Sequence, residues 1–94
     1  LNMNLKNNNN KLLIMENTMR KRLKLNVVKF AFKKKNGELR YATGTTNIML
    51  LNEMYGLNLE DNGEGTERNG ITSYYDLEKM GWRCFRTESL TQIY

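Results

Sequence analysis

The sequence predicts a mainly β protein, a small five-stranded barrel with a short N-terminal helix. Three observations carry that prediction. An alternating apolar run at residues 26–33, NVVKFAFK, is followed by Asn36-Gly37 and a return run at 38–45. A second pair of β-rich runs, 71–77 and 82–87, is joined by a short turn at Glu78-Lys79-Met80-Gly81. No internal repeat and no βαβ period is present, which leaves a chain of local hairpins.

The first eleven residues, LNMNLKNNNNK, are low in complexity. The Asn run offers no apolar face to bury, so residues 1–11 read as a disordered tail and residues 12–94 as one domain. Residues 12–24 form an amphipathic helix in which Leu12, Met15, Met19 and Leu23 recur at helical spacing, with Ile14 beside them. Glu16, Arg20, Lys21, Arg22 and Lys24 are expected opposite. The acidic residue lies early and the basic cluster late, as the helix dipole favours. Such a helix can cap one end of a barrel.

In the first hairpin Val28, Phe30 and Phe32 point one way, and Lys29, Ala31 and Lys33 the other. Asn-Gly is the strongest short hairpin signal, since both residues tolerate positive φ. On the return strand Leu39, Tyr41 and Thr43 oppose Arg40, Ala42 and Gly44. Gly44 between two threonines indicates a bulge or a close backbone approach. Residues 46–55 are apolar and read equally as strand or helix. Residues 56–70 hold four of the seven glycines and four of the ten acidic residues, and read as an acidic loop. The hairpin at 71–87 places Arg83 and Phe85 on one face and Trp82 and Cys84 on the other. Glu88 to Tyr94 supply one helical turn and a closing strand. The order is helix, hairpin, loop, hairpin and end strand, which fits a small barrel of the SH3 or Sm type. Closure removes sheet edges that so short a chain could not otherwise protect.

Charge is unevenly placed. Residues 1–43 carry eleven Lys/Arg and two Glu, whereas residues 44–94 carry four Lys/Arg and eight Asp/Glu. A basic half beside an acidic half can attract a polyanion to one face, although surface lysines also simply keep small domains soluble. The chain has no His and one Cys, Cys84. That removes the commonest general base and metal ligand, a Cys-rich zinc site, and a His-activated thiol. No phosphate loop or dinucleotide fingerprint occurs. The segment from Asp61 to Glu67 resembles a calcium loop only in composition, because the third and twelfth positions are Gly63 and Thr72. No enzyme, cofactor or metal is therefore expected. With no signal-peptide pattern, no membrane span and one unpaired thiol, a cytoplasmic location is expected.

Two clusters point to nucleic acid. Lys33, Lys34 and Lys35 stand beside Arg40 and Tyr41 at the first hairpin, so that cations can neutralise phosphates and an aromatic ring can stack on a base. In Trp82-Arg83-Cys84-Phe85-Arg86 cationic and aromatic side chains interleave, with Arg83 and Arg86 as the candidate contacts. The plain alternatives are a solvated turn tip and a pair of core aromatics.

The segments VKFAFKKKNG (residues 28–37), RYATGTTN (40–47), YDL (75–77) and GWRCF (81–85) resemble one known family. It is the WYL-like group of the second type, small proteins of Bacteroidetes and bacteriophages with an Sm-like SH3 β-barrel. The resemblance covers roughly residues 15–92 and rests on the paired signatures GTxN and YDLxxxGWRxF. It implies the barrel and a small accessory protein acting on host or phage nucleic-acid machinery. The Trp-Tyr-Leu tripeptide of true WYL domains is absent, so their sensor residues do not transfer. Two functions follow as expectations. One is a regulatory, nucleic-acid-associated binding module using the basic hairpin. The other is a protein-interaction module using the acidic loop or a sheet edge.

Overall fold

The computed structural model describes residues 2–61 and 68–94, and of residues 2–9 only the backbone. Helix α1 spans Asn2–Leu25, strand β1 Val28–Lys33, strand β2 Leu39–Thr45 and helix α2 Ile48–Tyr55. Strands β3 (Ile71–Asp76) and β4 (Gly81–Arg86), a 3-10 turn (Thr87–Ser89) and strand β5 (Leu90–Ile93) follow. The five strands form one antiparallel sheet in the order β4-β3-β2-β1-β5.

The sheet is rolled. β4 and β1 lie three places apart in strand order, which in a flat sheet would separate them by about 14 Å. Yet Phe85 of β4 stacks on Phe32 of β1 with ring centroids 4.6 Å apart. Phe30 meets Phe85 at 5.3 Å and Tyr74 edge-on at 5.0 Å. Around these rings Met19, Leu23, Val28, Ala42 and Leu90 complete one buried core. The alternation of β1 therefore gives the burial expected for Val28, Phe30 and Phe32, while Ala31 is also covered, from the other side.

The return strand resolves a choice that alternation leaves open. Arg40, Ala42 and Gly44 register with Phe32, Phe30 and Val28, so the small-residue face of β2 turns inward. The phenylalanines fill the interior from β1 and leave room for no second large row. Leu39 and Tyr41 are consequently exposed.

Two turns differ in detail from the sequence reading. Gly37 N–H donates to the Lys34 carbonyl, Lys34 N–H to the Glu38 carbonyl, and among the hairpin residues only Gly37 has positive φ (87°). This is a type I turn followed by a left-handed glycine, not a turn with both Asn36 and Gly37 left-handed. In the second hairpin the left-handed residue is Met80 (φ 54°), one position before Gly81. Asp76 Oδ1 accepts from Glu78 and Lys79 N–H and fixes that turn.

The apolar run after β2 is helical. Asn47 caps α2 by accepting from Leu50 N–H, and left-handed Gly56 ends it. Helix α1 is longer than residues 12–24, because the backbone of the Asn-rich stretch expected to be a disordered tail continues the same helix. Once nucleated, a helix gains one hydrogen bond for each residue added. Met19 and Leu23 are fully buried and Met15 packs on the core, but Ile14 is exposed. Glu16, expected on the solvent face, is 5% exposed. Its carboxylate pairs with Arg20 at 2.8 Å and accepts from Gly70 N–H at 3.0 Å, which ties α1 to the turn before β3. No described helix is long and apolar enough to cross a membrane.

Candidate nucleic-acid interface

The β1–β2 hairpin tip carries Lys33, Lys34 and Lys35, all exposed. Three consecutive residues cannot all alternate away from water at a turn, so the tip concentrates positive charge by construction. Its nearest counter-charge is Glu38, 3.6 Å from Lys34 Nζ, with both side chains largely in solvent. Such a pair is worth little and is readily exchanged for another anion.

The tip overhangs an open groove of about 920 Å³ between the edge strands β4 and β5. Phe32, Phe85 and Leu90 form its apolar floor, and Lys34, Lys35 and Arg86 stand on its rim. Arg86 also reaches Glu88 across 3.4 Å, again an exposed pair. The structure thus brings together four of the seven residues singled out in the sequence, Lys33, Lys34, Lys35 and Arg86.

The other three lie elsewhere. Arg40 faces inward, and its guanidinium donates to Asp76 Oδ2 at 2.6 Å. Asp76 is wholly buried, so this pair is committed to the fold. Arg83 is exposed on β4 opposite Tyr74 and does not line the groove. Tyr41 is 62% exposed on the outer face of the sheet, where its ring lies 6.4 Å from that of Tyr94. Tyr94 and Lys29, which the sequence reading did not assign, share that outer face; the alternation of Gln92 and Tyr94 along the last strand was the signal for it. Trp82 packs edge-on against Tyr75 at 5.6 Å, and Phe85 is core, so neither ring is a free platform.

The two sequence signatures have structural work of their own. A Cβ on Gly44 would sit against the Tyr75 carbonyl oxygen and within 2.6 Å of the Tyr74 ring, which is the close approach expected. The Thr45 hydroxyl and Thr46 N–H both donate to the Leu23 carbonyl at the end of α1, and Asn47 caps α2. In the second signature Tyr75 meets Trp82, and Asp76 binds Arg40 and the following turn. The signatures meet where Gly44 registers with Asp76. They hold the bend between β2 and β3 and both helix ends.

Burial raises the pKa of the Tyr74 phenol to about 12, with Arg40 opposing and the neighbouring Asp76 reinforcing the shift. Its hydroxyl contacts Asp76 Oδ2 at 3.3 Å inside the core, away from the basic rim. Among the described residues no group of His, Cys, Asp or Glu could hold a metal ion. The stretch compared with a calcium loop lies mostly outside the described residues. Cys84 is exposed beside the groove.

The family model described as WYL_2, Sm-like SH3 beta-barrel fold, matches residues 16–91, well over half of the chain. No curated protein and no solved structure matches it.

Proposed function

The chain belongs to the WYL-like family of the second type, with its Sm-like SH3 β-barrel, and from that premise we propose that it is a small, non-enzymatic module that binds nucleic acid and acts as a regulator. The observation that carries this reading is the tip of three exposed lysines, joined by Arg86 on one rim. Their only described carboxylate partners, Glu38 and Glu88, are exposed and weakly held. Cations placed this way exchange small counterions for phosphates and gain the entropy of counterion release.

Titration with a labelled oligonucleotide at two salt concentrations tests it. Affinity should fall steeply with salt, and changing Lys33, Lys34 and Lys35 to Glu should abolish binding. Replacing one lysine with Gln should lower the slope of log K against log salt by about 0.7–0.9. Absence of binding at low salt would overturn the reading.

A second reading, a protein-interaction module, is favoured by one observation. The outer edges of β4 and β5 have no strand paired to them among the described residues, and an apolar-floored groove lies between them. An extended peptide could add there as a strand. Salt-insensitive capture of a peptide, with no oligonucleotide binding, would favour it.

A further inference from the structure

We propose that the outer face of β2-β1-β5 is a stacking platform for single-stranded nucleic acid, with Tyr41 and Tyr94 as its two base-binding rings and Lys29 and Lys33 as its phosphate contacts. The inference rests on the nucleic-acid reading and deepens it, because it names the form of nucleic acid and a face of the sheet that meets the groove at Lys33.

The geometry comes from the register. Tyr41 stands directly opposite Ala31 on the central strand β1, and the chain returns along the other side of β1 so that Tyr94 N–H donates to the Lys29 carbonyl. The two rings therefore bracket β1 from its two neighbours, tilted by 32° with centroids 6.4 Å apart. Between them sits Ala31, the smallest side chain that could occupy that place, already 2% exposed. Gln92, which registers with Ala31 on β5, and Lys29 share this face and are exposed. Both rings remain open to water, at 62% and 54% exposure.

A sheet of this size places aromatics outside at a cost in apolar exposure, and the bland reason is cover for Ala31. Leucine would cover it as well. What leucine would lack is a flat π-face beside cations, and Lys29 and Lys33 are both exposed and both directed to this same side of β1. Strands β1, β2 and β5 contain no Asp or Glu at all. Arg22 of α1 adds positive charge at one end by donating to the Tyr94 carbonyl at 3.1 Å. Lys33 leads directly into the lysine tip, so a strand crossing the face would run on into the basic hairpin. Bases in a duplex are paired and stacked on one another, which leaves no face for a protein ring. The platform therefore selects unpaired strands, for which ring and base can stack without regard to sequence.

The test uses the full chain and three probes of equal length: an oligodeoxythymidine, the same strand in a duplex, and an abasic oligomer with the same phosphates. Fluorescence anisotropy at low salt should rank the thymidine strand tightest. Tyr41→Leu and Tyr94→Leu should each weaken thymidine binding about five- to a hundredfold, with the salt slope unchanged. Tyr41→Phe and Tyr94→Phe, which keep the ring, should retain affinity. Equal affinity of the wild-type chain for the abasic and thymidine strands would overturn the platform while leaving the lysine-dependent reading intact. So would a preference for the duplex. Failure of all three probes to bind would remove both.

Discussion

The Arg40 guanidinium lies 2.6 Å from the Asp76 carboxylate, and this one ion pair joins β2 to β3 across the interior of the rolled sheet. Gly44↔Asp76 and Thr45↔Tyr75 hold those strands in register, and Leu77 N–H adds one bond to the Thr43 carbonyl. The carboxylate is fully used, since it also accepts from the Tyr74 hydroxyl and from Glu78 and Lys79 N–H. Removing one partner of a buried pair leaves an uncompensated charge.

Asp76→Ala should therefore destabilise the protein by about 3–5 kcal/mol. Arg40→Leu should cost less, because Asp76 keeps three other donors. A double-mutant cycle by urea unfolding should show coupling on the order of 1–3 kcal/mol. Additive single effects would mean that the contact contributes nothing beyond its parts. Arg40→Leu should also leave oligonucleotide affinity unchanged, which separates it from the lysines of the tip.

Gly44 and Gly37 offer a contrast between two uses of glycine. Gly44 needs space, since a methyl group there meets backbone that no rotamer change can move away. Gly37 needs only its positive φ and has nothing within 4 Å of an added Cβ. Gly44→Ala should cost about 2–3 kcal/mol, read as a fall in melting temperature of roughly 10 °C or more. Gly37→Ala should cost about 1 kcal/mol, and Gly37→Asn less, since Asn tolerates the left-handed region. Equal melting points for the two alanine variants would contradict this division.

What could be read in the sequence, and what could not, follows the range of the interactions. Both hairpins were legible because alternation is a local property, and Phe30, Phe32 and Phe85 have their ranks in the core through it. Residues 46–55 were ambiguous because a short apolar run satisfies either period, although Asn47 and Gly56 already mark a helix start and stop. The inward face of β2 was not legible, because it is chosen by the volume that the β1 rings occupy. Arg40 was for that reason assigned to the basic hairpin, when its partner lies 36 residues away. The groove shows the same limit. Lys33 to Lys35 could be picked out by composition, but Arg86 joins them only after the sheet has rolled.

Tyr74 gives a pH dependence whose sign is fixed by its burial. In the unfolded chain its phenol ionises near pH 10, and in the native state only near 12. The native state thus holds the neutral form, and its stabilising effect is complete below pH 10 and lost as the pH rises from about 10 to 12. Two pH units correspond to roughly 2–3 kcal/mol by the top of that window. Urea midpoints measured between pH 8 and pH 12 should fall more steeply for the wild type than for Tyr74→Phe, which cannot ionise. Parallel curves would mean that Tyr74 does not carry the alkaline loss.

Glu16 ties the helix to the sheet and gives the most local test of the fold. Its carboxylate holds Arg20 and the Gly70 N–H, while Arg20 reaches on to the Ile71 carbonyl at 3.1 Å and to the Arg68 carbonyl. The chain thus locks α1 onto the entry to β3 through one nearly buried acid. Glu16→Ala should cost about 2–3 kcal/mol, because it removes the carboxylate from a half-buried guanidinium and leaves the Gly70 N–H without its acceptor. Glu16→Gln should cost about half of that, since an amide oxygen can still accept from Gly70 but carries no charge for Arg20. Hydrogen exchange separates the two contributions. The Gly70 amide should exchange faster in Glu16→Ala and stay protected in Glu16→Gln, while both variants lose global stability. Unchanged Gly70 protection in Glu16→Ala would mean that the turn is held by β3 alone and that the helix merely rests against it.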